Sequence, residues 1–300
     1  MTEALASYSV PEHYVNMYTG NVRAALAKQG GLLTSLISRG SYKGEKVQLI
    51  SFIGPVVFTE RNTPYGDTKV VELEHTSRWI TGTEYDCAVL VDRLDQLKMI
   101  YDPTSPYVER FREGAARRMD QIIMDKFFAD AKSGKDASVT TVFPAADTVA
   151  NGGTGLTVAK LRALRKLIKK RHLDLRTQKP IIAVTSEQTD NLLGETSINS
   201  FDYNQVKPLV DGEVSSFMGF QFVPYEAYLG IGIPSYTAGT VIRQCPVWVP
   251  DGMHFGTWDD LTIVIGNRAD KNNIKQIHGT FTAGATRVEE GRVFMVEAAE

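Results

Sequence analysis

The sequence predicts an α+β protein, on three observations. Strand-like segments outnumber helical ones, an order that reads as α+β. One helical stretch, from Pro106 to Lys132, is far longer than the others. A long, partly apolar hairpin precedes it, with few neighbouring segments able to cover it.

Residues 1–45 are mixed and mostly polar, with glycines at 20, 30, 31, 40 and 44 and one weak helical stretch from about Asn21 to Lys28. They lack the apolar periodicity of a core element and read as an arm that must lie on something else. The chain from Met1 to Val10 has neither the basic start nor the apolar core of a secretory signal.

Lys46 to Glu60 reads as a strand carrying Val47, Leu49, Ile53, Val56, Val57 and Phe58, and Lys69 to Ile80 as a second, with Val71 and Leu73 alternating against Glu72 and Glu74. Between them Thr63-Pro64-Tyr65-Gly66-Asp67 has turn chemistry: proline presets one φ and glycine permits a positive one. Pro55 confines the first strand to an edge or a bulge, since it cannot donate to a ladder. Such a hairpin is a liability in a monomer and makes sense beneath a neighbouring subunit.

The long helix is expected to be capped by Ser105, to start at Pro106 and to end at Gly134. Val108, Phe111, Ala115, Met119 and Ile122 recur at three-or-four spacing, and at 1.5 Å per residue the rod is roughly 40 Å long. Asn151-Gly152-Gly153-Thr154-Gly155 is a break. A second helix follows from about Thr157 to His172, with Leu161, Leu164, Leu167 and Ile168 as its apolar stripe. Pro180–Val184 is a short buried strand, and Ser186–Leu193 a short helix capped by Thr185 or Ser186. Further strands are expected at Val214–Pro224, Val241–Val249 and Leu261–Ile265, and in a C-terminal stretch from Gly279 that turns at Glu290-Gly291.

Composition narrows the function. Of 300 residues 43% are hydrophobic and 23% charged, which is ordinary for a globular chain. With 33 Lys and Arg against 35 Asp and Glu the net charge is −2, arguing against a surface devoted to nucleic acid but not against one local basic face. Cys87 and Cys245 are too few and too far apart for a disulfide scaffold or a cysteine zinc site, and the chain fits a reducing compartment. No apolar run approaches the roughly 20 residues of a membrane span.

Catalytic and cofactor signals are lacking. There is no P-loop, no dinucleotide-binding glycine pattern after a strand, no G-x-S-x-G elbow and no metal spacing among His13, His75, His172, His254 and His278. The carboxylates Asp92 and Asp95, and Asp259 and Asp260, read as solvated turns and caps, and Gly152–Gly155 as a linker. No catalytic, cofactor or metal residues are assigned. The strongest chemical signal is a run from Lys160 to Arg176 with Asp174 its only acid. Arg162, Arg165, Lys166, Lys169 and Lys170 fall opposite the leucine stripe. They are a contact for phosphates or an acidic partner patch, or else a solvated face. No aromatic residues interleave them, so base stacking has no support.

One ordered set of segments resembles a family. Thr63–Asp67, His75-Thr76, Trp79-Ile80-Thr81, Tyr85 and Val91–Asp95 lead to Tyr101–Tyr107 and the long helix; Phe217–Pro224, Gly284–Arg287 and Val293–Val296 follow. From about Lys46 onward this order is similar to that of major capsid proteins of tailed bacteriophages, particularly short-tailed ones. The resemblance implies the Hong Kong 97-type capsid fold: an N-terminal arm (1–45), an extended loop (46–86), a peripheral domain with a spine helix (87–149), an axial domain (150–256) and a return to the peripheral domain (257–300). It implies a structural, non-catalytic subunit of an icosahedral shell, with Thr63, Pro64, Tyr65, Gly66 and Asp67 as the loop tip against a neighbour. Implied partners are copies of the chain in hexamers and pentamers, scaffolding, portal and decoration proteins, and packaged double-stranded DNA, with Arg162, Arg165, Lys166, Lys169 and Lys170 as a contact for that DNA or for a scaffold. The implied place is the virion, assembled in the host cytoplasm without a membrane. Some members of this fold weld subunits by a Lys–Asn isopeptide bond; Lys69, Asn272 and Asn273 do not match that pattern, so assembly is expected to be non-covalent. An encapsulin-like compartment and a soluble α+β enzyme are the alternatives.

Overall fold

The computed structural model describes residues 31–54, 56–58, 60, 70, 72–73, 75–91, 104–173, 178–195, 216–228 and 231–300. The expected helix at 21–28, the turn Thr63–Asp67, Pro55, Lys69, Asp92 and Asp95 lie outside these residues.

In chain order come β1 (Ser38–Ser41), β2 (Lys46–Ile53), β3 (His75–Thr81), β4 (Thr83–Val91), the long helix α1 (Thr104–Phe128), β5 (Ala131–Ser133), β6 (Val139–Thr141) and β7 (Thr148–Val149). Then follow α2 (Val158–Lys170), β8 (Ile181–Val184), α3 (Ser186–Leu193), β9 (Ser216–Phe217), β10 (Phe220–Pro224), β11 (Ser235–Ala238), β12 (Thr240–Trp248), β13 (Met253–Arg268), β14 (Ile274–Arg287) and β15 (Val293–Ala299). They form three sheets, ordered β1-β13-β14-β4, β2-β3-β5-β6 and β7-β15-β12-β8-β10-β9, with β11 added beside β12 in the last.

The last sheet is a central layer. Along β8, Ile181 and Ala183 join one apolar cluster while Ile182 and Val184 join another, because successive strand side chains point to opposite faces. The first cluster holds Ile122, Ile123, Met124 and Phe127 of α1; the second holds Leu161, Leu164 and Ile168 of α2. A strand buried on both faces reads as an unbroken apolar run, as Ile181–Val184 does. β15 pairs with β12 and β7 and contributes Phe294 and Val296 to the α2 cluster, so this sheet runs through the boundary expected near residue 256.

Three expectations change. The long helix stops at Phe128, not Lys132, because Arg287 closes its end. The fully buried guanidinium donates from Nη1 to Phe127 O at 3.0 Å and to Ala129 O, and from Nη2 to Thr141 O at 3.3 Å. It thus satisfies carbonyls that a helix end leaves orphaned. The chain beyond is drawn into β5, where Lys132 faces Trp79, and Gly134 (φ 76°) bounds that strand instead of the helix. The single strand expected at 214–224 is a hairpin: Met218 (φ 52°) and Gly219 (φ 89°) both adopt the left-handed region that a tight two-residue turn requires. The third concerns the arm. From Gly31 the chain is fixed to its own body: Asp120 of α1, buried, accepts from Gly31 N at 2.7 Å, Leu32 N at 3.2 Å and Leu33 N at 3.1 Å. Leu33 and Ile37 then enter the first cluster.

Candidate assembly surfaces

The β2–β3 hairpin has a rigid root. Its register runs from Lys46 opposite Thr81 to Ile53 opposite His75, with one irregularity between Gln48 and Ile50. Arg78, buried, donates from Nη2 to both carboxylate oxygens of Glu290 at 2.6 and 2.7 Å and from Nε to Val288 O at 3.1 Å. Trp79 Nε1 and Ser77 Oγ both donate to Gly134 O, at 2.7 Å each. β3 crosses β14 so closely that a Cβ on Gly284 would collide with the Thr81 carbonyl oxygen; only glycine fits there. A second cluster braces the chain just before β2. Tyr42 lies 5.7 Å from both the His254 and Trp258 rings, and Trp258 Nε1 donates to Gly44 O at 2.6 Å. His254 holds Ser38 Oγ and Tyr42 OH, each at 2.8 Å, and burial pushes its pKa down.

Beyond the root the described apolar residues are exposed. β2 ends at Ile53, two residues before Pro55, and β3 runs from His75 to Thr81; the start expected at Lys69 lies outside the described residues. Ile53 is 63% exposed, Phe58 95% and Val70 86%, and Val56 and Val57 are exposed as well. These five apolar side chains are close in sequence and uncovered by their own subunit. Scattered exposed apolar residues are ordinary; a contiguous run marks an interaction surface. The proposed tip, Thr63–Asp67, lies outside the described residues.

A second surface is the outer face of α2. Thr157 caps the helix, accepting from Lys160 N at 3.3 Å, and Leu161, Leu164 and Ile168 press it onto the central sheet. Two members of the basic run are structural. Lys160 is buried and donates to Thr154 O at 2.6 Å and Glu297 O at 2.9 Å, with its pKa lowered chiefly by burial. Arg171 makes two 2.9 Å hydrogen bonds to the buried Asp147. Arg162, Arg165, Lys166, Lys169 and Lys170 remain together, lining an open groove of about 680 Å³ with Met218. None of these five has a carboxylate partner among the described residues.

A third is an apolar recess of about 440 Å³ between α1 and the β4–β14 ladder, walled by Tyr85, Cys87, Phe111, Ala115, Leu261 and Phe281. Nothing among the described residues gathers three side chains that could hold a metal ion. Cys87 is exposed and free; Cys245 is buried, its thiol pushed up to about 12 by burial. Asn272 and Asn273 turn the β13–β14 hairpin at φ 52° and 54°, a conformation asparagine tolerates well. No described helix is long and apolar enough to cross a membrane.

A sequence profile of the family described as phage capsid protein matches residues 10–300. The chain belongs to that family. It is therefore a capsid protein, a structural subunit of a phage shell built from copies of itself. No curated protein matches the sequence. Among solved structures, the capsid of the cyanophage P-SCSP1u is similar at 14% identity, covering 96% of this chain and 94% of that one, with a TM-score of 0.71. The capsid of the Helicobacter pylori bacteriophage KHP30 is similar at 10% identity, over 95% and 96% of the two chains, with a TM-score of 0.72. The mature capsid of bacteriophage PhiM1 is similar at 16% identity, over 94% and 91%, with a TM-score of 0.66. The α+β fold is thus the Hong Kong 97-type capsid fold. In this capsid protein, the structural roles of Arg78, Asp120, His254 and Arg287 carry no signature in the sequence. Each is a lone polar residue whose partners lie dozens to hundreds of positions away, and no local pattern announces that.

Proposed function

We propose that the chain is the major subunit of a closed icosahedral shell around double-stranded DNA, and that its role is mechanical and not catalytic. One observation carries this: an apolar ribbon, Ile53 to Phe58 with Val70, stands bare on a root held by a buried Arg78–Glu290 pair. An uncovered apolar end on a braced root gains free energy when another copy covers it. Permanent interfaces bury about 2,000–5,000 Å², and hairpins laid over neighbours would supply a large share.

In this proposal Thr63, Pro64, Tyr65, Gly66 and Asp67 meet the neighbouring subunit. Residues 46–86 act as the extended loop, 87–149 and 257–300 as the peripheral domain, 150–256 as the axial domain, and the N-terminal arm precedes them. The copies form hexamers and pentamers in the host cytoplasm with scaffolding, portal and decoration proteins, and no isopeptide weld joins them.

The test is electron microscopy of the purified chain, alone and co-expressed with the proteins of its own phage. Closed shells of uniform diameter are expected, dissolving to single subunits on a denaturing gel. Small oligomers alone under both conditions would overturn the shell reading; a ladder surviving boiling and reductant would overturn non-covalent assembly.

A further inference from the structure

We infer that the basic groove on α2 is a sequence-independent site for the phosphodiester backbone of nucleic acid. Arg162, Arg165, Lys166, Lys169 and Lys170 follow one another at three, one, three and one positions, so they form one stripe on the helix. The stripe spans about 12 Å at 1.5 Å rise per residue. The opposite face is locked down by Leu161, Leu164 and Ile168, which fixes the cations on a rigid platform.

Three features select phosphates. First, the neighbouring charges among the described residues are spent elsewhere: Asp147 belongs to Arg171, and Lys160 to backbone carbonyls. The five central cations have no carboxylate among the described residues, and Arg165 Nε is buried without a hydrogen-bond partner there. Like charges held this close repel one another, and a polyanion relieves that. Second, the groove is open to solvent rather than enclosed, which suits a polymer lying across it better than a small buried anion. Third, its lining is wrong for a protein partner. Protein interfaces concentrate their energy in aromatic and apolar anchors and are depleted of lysine at the centre. This groove offers three lysines, two arginines and a single apolar side chain, Met218. Without aromatics it offers no stacking for bases, so the contact is to backbone and carries no sequence preference.

The binding stands on this charge and shape alone; only its meaning, contact with the enclosed genome, rests on the shell reading. The test is fluorescence anisotropy of the full chain with a labelled mixed-sequence 20-base-pair duplex (length of about two helical turns) across a salt series. If each of the five cations neutralises one phosphate, the slope of log K against log salt is about −4.5, a loss of about 500-fold between about 50 and 200 mM. The K166Q/K169Q/K170Q variant, changed only at exposed positions, should bind more weakly and lose only about 12-fold over that range. K166R/K169R/K170R should restore the parent slope, and circular dichroism identical across the three proteins shows that the fold is kept. A parent slope near zero, an unchanged slope in the glutamine variant, or equal displacement of the duplex by polyglutamate at matched charge would overturn the assignment. Shell formation, read separately by electron microscopy, keeps failure of the two proposals apart: subunits that bind duplex but never close into particles refute the shell alone.

Discussion

Replacing Phe58 with serine removes a ring that its own subunit leaves 95% exposed. The folded monomer gains almost nothing from that ring, so its stability should change by less than about 0.5 kcal/mol. The effect falls on assembly. Burying a phenylalanine is worth about 2 kcal/mol, and each subunit of a shell presents one such ring to a neighbour. At about 1.4 kcal/mol per decade, the concentration at which shells appear rises about 30-fold. Adding Val56→Ser and Val57→Ser, at about 1.5 kcal/mol each, brings the loss to about 5 kcal/mol and the threshold up by more than about a thousandfold. Light scattering of a dilution series reads the threshold, and calorimetry of the unassembled subunit reads its stability. An unchanged threshold would show that no neighbour covers the ribbon. A melting temperature lowered by several degrees would show that the ring packs within its own subunit. Either result would rule out the ribbon as a contact between subunits.

Other consequences follow from the buried polar anchors. Arg287→Met strands the carbonyls of Phe127, Ala129 and Thr141 and should cost about 3 kcal/mol or more, lowering the calorimetric melting temperature by about 5–10 °C; a drop below about 2 °C would show that the cap is dispensable. Asp120→Asn keeps the shape but removes the charge that three amides share, and hydrogen exchange at Gly31, Leu32 and Leu33 should quicken about tenfold or more; unchanged protection there would mean that apolar packing alone holds the segment. Burial lowers the pKa of His254, so the folded state binds fewer protons than the unfolded chain once the pH falls below about 6.5. Its stability contribution is full above that pH and is lost as the pH falls towards the folded value. The difference in melting temperature between the parent and His254→Gln should therefore shrink on acidification, and a difference independent of pH would refute the linkage.

Much of the architecture is legible without coordinates, because it is written in local periodicity. The three-or-four spacing of Phe111, Ala115, Met119 and Ile122 announces α1, and the stripe of Leu161, Leu164 and Ile168 announces α2. The unbroken Ile181–Val184 run announces a strand covered on both sides. Other elements have no such signature. β4 is largely exposed along Thr83–Val91, and it is a strand because β14 pairs with it from Lys275 to Ala283. β13 extends to both sides of the apolar Leu261–Ile265 for the same reason, its partner lying across a turn at Asn272-Asn273.

Local order along the chain suffices for the α+β class, the rod, the apolar ribbon and the basic run, since each depends on residues close together in the chain. The closed fold settles which cations are structural and which have no partner among the described residues. Lys160 and Arg171 stand in the same run as Lys166 and Lys170, yet Lys160 meets two backbone carbonyls and Arg171 a buried carboxylate, while the other two meet no acceptor among the described residues. It likewise decided where α1 ends, through an arginine about 160 residues downstream. The physical reason is shared: helix and strand periodicity is a short-range property, whereas the partner of a buried charge is whatever the closed fold happens to place beside it.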